Sequence, residues 1–258
     1  MKIATFNINS VRARLENFVN WLREVQPDVV LLQEIKCMDE VFPRNEIELL
    51  GYNIETHGQK SYNGVAIISK HSIEDVVRGL PTFEEDEQAR YIEAVIGGKV
   101  RICNIYAPNG NPIDTPKFPY KIKWHQKLNE HVKEVLKYDE PLIVTGDYNV
   151  AITDREVYNP KAYKDDAITQ PESRAEFNNL KALGFTDAYR TFHDDVDDAY
   201  SYWGYRGGCW PKGYGILLDY FLLNDKAMDL LVDCDIDKEP RSKEKPSDHT
   251  PVVLELKD

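Results

Sequence analysis

Apolar and polar positions along the chain follow two periods. Residues 2–7 alternate, with Ile3 set against Ala4 and Phe6, and run into the polar group Asn7-Ile8-Asn9-Ser10, as a strand ending in a loop does. Between 13 and 26, Leu15, Phe18, Val19, Leu22 and Val25 recur at helical spacing, and Pro27 stops the helix. Residues 28–32 are almost continuously apolar, which predicts a strand buried on both faces. The same criteria predict strands over 64–69, 91–96, 100–106, 141–145, 219–223 and 251–256. Ile122, Leu128, Val132, Val135 and Leu136 mark a second helix, and 172–183 a third, closed by Gly184. No linker or low-complexity tract interrupts the pattern, so a single domain over 1–258 is expected.

Two stretches share a form. Pro27-Asp28-Val29-Val30-Leu31-Leu32-Gln33-Glu34 and Pro141-Leu142-Ile143-Val144-Thr145-Gly146-Asp147 each give a proline, a short apolar strand and a carboxylate at its end. The pair predicts a weak internal duplication, with two sheets packed face to face, helices outside, and two acids at comparable strand ends.

Composition adds bounds. The 258 residues include 42% hydrophobic and 29% charged residues, enough for a buried core. Cys37, Cys103, Cys209 and Cys234 show no paired spacing and read as buried thiols of a reducing compartment. No apolar run is long enough to span a bilayer, and no basic segment leads into an apolar one at the N-terminus; a cytoplasmic protein is expected. The formal charge of −12 argues against a polyanionic partner only weakly. A domain of this size has a radius of gyration of roughly 18 Å, whereas charges are screened over about 8 Å. The acidic runs Glu84-Glu85-Asp86-Glu87 and Asp194-Asp195-Val196-Asp197-Asp198 read as solvated loops remote from any cleft.

Polar residues gather at the predicted strand ends: Asn7 and Asn9, Glu34, Asp147 and Asn149, Asp219, and Asp248-His249. Singly, each reads as a turn former. Together they predict a shared hard cation, because an unpaired buried carboxylate is costly and magnesium takes oxygen ligands. Glu34 is the leading ligand candidate, with Asn7 and Asn9 behind it. Asp219 is a plausible partner to orient His249 for proton transfer or for stabilising charge beside a phosphate. Asp147 could position or deprotonate a water, and Asn149 could donate to a phosphate oxygen. Tyr106 reads either as a rim aromatic or as a phosphate-contacting phenol. The stretch Tyr202-Trp203-Gly204-Tyr205-Arg206 and Trp210-Pro211-Lys212-Gly213-Tyr214 mixes rings and cations as nucleic-acid contacts do, although hairpin packing accounts for some of the rings. Arg12, Lys36, Lys60, Arg90, Lys121 and Lys123 lie near the same strand ends and read individually as solvated charges.

These residues resemble the exonuclease III-type abasic endonucleases of the endonuclease/exonuclease/phosphatase superfamily. The likeness runs from Phe6-Asn7-Ile8-Asn9 through Leu32-Gln33-Glu34-Ile35-Lys36, His57-Gly58-Gln59-Lys60, Tyr62-Asn63-Gly64-Val65-Ala66, Asn104-Ile105-Tyr106-Ala107-Pro108-Asn109-Gly110 and Lys117-Phe118-Pro119. It continues through Gly146-Asp147-Tyr148-Asn149 and Leu218-Asp219-Tyr220 to Lys245-Pro246-Ser247-Asp248-His249-Thr250-Pro251.

The resemblance implies an α/β fold, a four-layered sandwich of two packed mixed sheets flanked by helices. It implies a magnesium-dependent hydrolase (manganese as substitute) acting in base excision repair on double-stranded DNA. Cleavage would fall 5′ to abasic sites, with 3′-to-5′ exonuclease and 3′-end trimming activity, and the chain would act as a monomer away from membranes. By motif, Glu34 binds the metal near Asn7 and Asn9, Asp248 lies near a second metal position, and Tyr106 and Asn149 meet the phosphate. Asp147 aligns or activates the water, while His249 held by Asp219 serves the scissile phosphate. Arg12 would contact substrate, and Tyr202, Trp203, Ile216 and Leu218 would wall a pocket for the base-free sugar. Two departures stand out: Ser10 where glycine is usual, and Leu217 where arginine is usual. An inositol-phosphate or lipid-headgroup phosphatase of the same superfamily is the rival reading.

Overall fold

The computed structural model describes residues 1–257. Twelve strands build two six-stranded sheets. They are β1 (Lys2–Asn7), β2 (Val29–Gln33), β3 (Asn53–His57), β4 (Val65–Ser69), β5 (Ile73–Arg78), β6 (Tyr91–Ile96), β7 (Val100–Tyr106), β8 (Leu142–Asp147), β9 (Phe185–Asp187), β10 (Asp219–Asn224), β11 (Leu231–Ile236) and β12 (Val252–Leu256). The first sheet runs β11-β12-β1-β2-β4-β3 and the second β5-β6-β7-β8-β10-β9. The main helices are α1 (Leu15–Val25), α2 (Arg44–Glu48), α3 (Lys117–Val135) and α4 (Pro171–Lys181).

The duplication expected from the two proline-led strands is present in the topology. Each sheet has one parallel pair at its centre, β1 with β2 and β7 with β8, and antiparallel neighbours on both sides. The sheets differ in chain order: the hairpin beside β1 comes from the end of the chain, while the hairpin beside β7 directly precedes it.

Strands apolar on both faces make the layers. Ile3, Val29, Leu31, Val65 and Ile67 join the large core shared with the second sheet, whereas Ala4, Phe6, Val30, Leu32, Ala66 and Ile68 face a second cluster containing Phe18, Trp21 and Leu22 of α1. Each such large side chain contributes roughly 1.5–3 kcal/mol on burial. Trp124, Leu128, Val132, Phe177 and Leu180 of α3 and α4 close the large core. The result is the helix–sheet–sheet–helix sandwich. Polar groups also cross between sheets: Gln33 Nε2 donates to Thr5 Oγ1 (2.9 Å) and Asn104 Oδ1 (2.7 Å), and Asn104 Nδ2 donates to the carbonyls of Leu32 and Ala66.

Four strands went unread in the sequence, and all four are sheet edges: β3, β5, β9 and β11. β11 and β5 alternate or mix exposed charges with half-buried residues, and β9 is three residues long. Edges avoid the continuous apolar runs that would template aggregation, so they lack the signal that revealed the central strands. No helix among the described residues is long and apolar enough to cross a membrane.

Candidate active site

Register places the polar strand ends side by side. Tyr106 pairs with Asp147 across the parallel β7–β8 pair, and Asp219 pairs with Asp147 across β8–β10. Asn7 closes β1 next to Gln33 in the facing sheet. Two carboxylates directly opposite on neighbouring strands repel, and a cation offsets the repulsion here. His249 Nδ1 lies 2.8 Å from Asp219 Oδ2, and its Nε2 lies 3.7 Å from Asp147 Oδ2. Ser201 Oγ donates to the same Asp219 oxygen at 2.6 Å. Burial would lower the imidazole, but the carboxylates of Asp219 and Asp147 raise it, so His249 is held in its charged form. Burial, reinforced by Asp219, pushes Asp147 up, against the pull of His249.

Asn7 links the two sheets. Its Nδ2 donates to Glu34 Oε1 (3.1 Å) and to Asp147 Oδ2 (2.9 Å). Tyr106 Oη donates to Glu34 Oε1 at 2.8 Å. Burial and the nearby Glu34 carboxylate keep that phenol far above its ordinary value and therefore neutral. Burial alone would raise Glu34, but Lys36 and the donors from Asn7 and Tyr106 hold it below the usual carboxylate range.

A second knot joins Asn9 to Asp248 (2.9 Å) and to Tyr205 Oη (3.2 Å). Lys36 Nζ lies 2.6 Å from both Glu34 Oε2 and Asn9 Oδ1. Oxygens of two candidate ligands, Glu34 and Asn9, thus converge on the Lys36 ammonium, the place a hard cation bound by those oxygens would take from it. The residues present fit such an ion. Asp147, Asp219 and His249 also bring ligating atoms within 4.8 Å of one another; Asp219 Oδ2 is held by His249 Nδ1 and Ser201 Oγ, while its buried Oδ1 has no partner among the described residues.

The backbone at this end is unusual. Asn9, Ser10, Glu34, Lys36 and Asn149 all have φ between 45° and 83°, a region costly for side chains other than glycine. Such strain gathers where geometry is functionally constrained. Ser10 therefore carries the left-handed conformation that glycine would adopt freely. Leu217 is buried with its N–H on the Glu156 carbonyl, so the position usual for arginine here faces the interior. Gly146 is required by close approach as well as by its φ of 139°: a Cβ there would lie 2.0 Å from the Ile105 carbonyl oxygen.

A cleft of about 400 Å³ opens over these groups. Glu34, Tyr106, Asp147, Asn149, Asp248 and His249 line it together with an apolar cluster of Tyr163, Ile168, Tyr202, Ile216 and Leu218. Tyr202 packs its ring 4.9 Å from the His249 ring. Trp203, expected in that cluster, is instead buried behind it, its ring 4.8 Å from Trp210. Arg12 is exposed outside the cleft, in a shallow basin with Lys36 and Lys60. The rings of the 202–214 stretch divide accordingly: Tyr202 faces the cleft, while Tyr214 stacks on Tyr158 (4.5 Å) and Trp210 on Trp203. Both acidic runs are largely exposed.

Sequence reasoning took Lys121 for a solvated charge, yet it is fully buried, its amine pushed down to about 7 by burial against the attraction of Asp147 and Asp166. The missed signal was its phase, three residues before Trp124 and seven before Leu128 on the buried stripe of α3. Ser201, Asn109 and Tyr163 were also missed: Asn109 sits inside the 104–110 motif without being singled out, while only the fold brings Tyr163 to the cleft and Ser201 to Asp219.

Known proteins share this fold. The model for the Endonuclease/Exonuclease/phosphatase family matches residues 4–249. Exodeoxyribonuclease III of Haemophilus influenzae is 34% identical over the full length of both chains, and an exodeoxyribonuclease of Bacillus subtilis 30% identical over 98% of each. A 3′ phosphatase from Neisseria, solved with a product DNA hairpin, superposes with a TM-score of 0.97 at 36% identity, covering 100% of both chains. An AP endonuclease from Archaeoglobus fulgidus gives 0.95 at 35%, covering 99% of both. The chain belongs to the endonuclease/exonuclease/phosphatase family.

Proposed function

We propose that this chain is a magnesium-dependent DNA repair phosphodiesterase that cuts the backbone 5′ to abasic sites and trims 3′ ends by 3′-to-5′ exonuclease action. One observation carries the reading: Glu34, Asp147 and His249, from three separate strand ends, meet in one cleft through Asn7 and Asp219. Relatives named as exodeoxyribonucleases, and a Neisseria neighbour solved on DNA, support a DNA substrate.

Glu34, with Asn7, Asn9 and Asp248 around it, would hold magnesium, or manganese in its place, which supplies Lewis-acid polarisation of the phosphate and support for the departing oxygen. The remaining work falls to the chain's own groups. His249, kept charged by its two carboxylates, donates to the scissile phosphate. Asp147, pushed up by burial, takes the proton of the attacking water as the new P–O bond forms and the bond to the 3′ oxygen breaks. Tyr106, a neutral phenol, turns its single O–H from Glu34 to a phosphate oxygen as charge develops, and Asn149, with one amide N–H on the Ala107 carbonyl, donates the other there. Tyr202, Ile216 and Leu218, with Trp203 packed behind them, admit a sugar without its base, and Arg12 contacts the backbone outside the cleft. The chain would act as a monomer in the cytoplasm, a compartment in keeping with its four free cysteines.

The test is a duplex carrying one abasic analogue, incubated with magnesium, manganese or EDTA, beside an inositol polyphosphate. Cleavage 5′ to the lesion that needs the metal is expected. Turnover of the inositol phosphate alone, or cleavage unaffected by EDTA, would overturn the reading.

A further inference from the structure

Helix α3 carries a lysine where its apolar stripe should continue. Lys121 shares the buried face with Trp124, His125, Leu128, Val132 and Val135 and is itself 0% exposed. Its Nζ donates to the main-chain oxygen of Asn109 (3.1 Å) and to that of Asn149. Those carbonyls belong to different segments, the loop after β7 and the turn after β8, each already past the last residue of its strand. Gly110 leaves room for the stem, since a Cβ there would sit 2.6 Å from Lys121 Cδ. The two joined segments also meet through their side chains, Asn109 Nδ2 donating to Asn149 Oδ1 at 3.3 Å. Asn149 meanwhile holds a φ of 50°, which a loose turn would relax.

Packing does not explain the ammonium. An apolar side chain of similar length would fill the stripe without the cost of burying a charge. Nor does Lys121 line the cleft. Its charge is balanced from neighbouring segments by Asp147 and Asp166 and opposed by Arg90. A buried polar crosslink of this kind fixes geometry, and its two ends are Asn109 and Asn149, both facing the cleft.

We propose that Lys121 is a positioning residue, whose ammonium ties the 107–111 loop to the 146–149 turn so that the side-chain amides of Asn109 and Asn149 are presented together to the phosphate. The role of Asn149 at the phosphate rests on the proposed function; the crosslink itself does not.

The test is a double-mutant cycle. Lys121→Met should lower kcat on abasic duplex about 100-fold, the scale of a misplaced transition-state donor, with KM changed less than about threefold. In an Asn149→Ala background the same substitution should cost kcat less than about tenfold, the part that runs through Asn109, because the rest acts through Asn149. Equal losses in both backgrounds, or a raised KM with kcat intact, would overturn the proposal. Lys121→Gln, which keeps an N–H donor without the charge, serves should Lys121→Met not fold, and its loss should show the same dependence on Asn149. The side-chain amide resonances of Asn109 and Asn149 give a readout that needs no activity. They should shift together in Lys121→Met, and unshifted resonances would refute the crosslink even if the substrate were another phosphate ester.

Discussion

His125, one turn beyond Lys121, makes acid sensitivity calculable. It is 1% exposed, with the Tyr148 backbone in hydrogen-bond reach, and its Nε2 has no partner among the described residues. Burial first, and the Lys121 charge second, push its pKa down to about 3 from 6.5. The folded state therefore keeps the ring neutral where the unfolded chain would protonate it. Stability from this group is fully present above pH 6.5 and is lost as pH falls toward 3. Each pH unit in that window costs about 1.4 kcal/mol, so moving from pH 7.5 to 5.0 costs about 2 kcal/mol through His125 alone. Other groups titrate too, and a non-titrating partner isolates the contribution. His125→Gln keeps a side-chain amide beside Tyr148 and removes the proton uptake. Urea unfolding of both proteins at pH 7.5 and 5.0 should show the variant losing about 2 kcal/mol less than the parent on acidification. Equal losses would mean that His125 is already charged or already solvated in the fold, and the argument from burial would fail.

Three further outcomes follow from the geometry. Glu34→Gln should retain the fold but lower magnesium-dependent cleavage by at least about 100-fold, since a neutral amide weakens both the cation site and its charge balance; full-rate cleavage would remove Glu34 from the site. Arg101→Met should cost about 3–5 kcal/mol in urea unfolding, because Arg101 contacts Glu93 at 2.7 Å and the variant leaves that carboxylate without its guanidinium; a cost under 1 kcal/mol would show that His131 and Tyr91 suffice. Gly146→Ala should give little soluble protein, because its methyl would meet the Ile105 carbonyl at 2.0 Å in rigid strand backbone; a variant melting like the parent would show that β7 and β8 can separate there.

The central strands and long helices were legible because they are buried on a regular period. Leu31 and Val30 declare opposite faces of β2, and Phe18 and Leu22 declare one face of α1. The edge strands were not, since β11 presents Val232, Asp233 and Asp235 to solvent. The site residues were legible in kind, as acids, amides and a histidine at strand ends. Their partners were not: Ser201 reaches Asp219 from eighteen positions earlier in the chain, and nothing near it in sequence marks the contact. The burial of Lys121 is written in its helical phase rather than in its charge.

The duplication also needs refinement, because the two acids are one residue out of register. Asp147 is the last residue of β8, paired with Tyr106, and the position paired in the same way with Asn7 in the first sheet is Gln33, not Glu34. Gln33 points between the sheets to Thr5 and Asn104. A slip of one residue in a strand turns a side chain to the opposite face, so Glu34 could not reach Asp147's surroundings by continuing β2. It does so by leaving the strand at a φ of 52°, after which Asn7 and Tyr106 hold its carboxylate. The asymmetry is what the chemistry requires. Two equivalent acids would give one site of doubled charge, whereas the displaced pair yields one carboxylate held low beside Lys36, its side chain 17% exposed, and a fully buried one pushed up by burial beside Asp219. One is suited to gripping a cation and the other to accepting a proton, and the difference between them is made by a single left-handed residue.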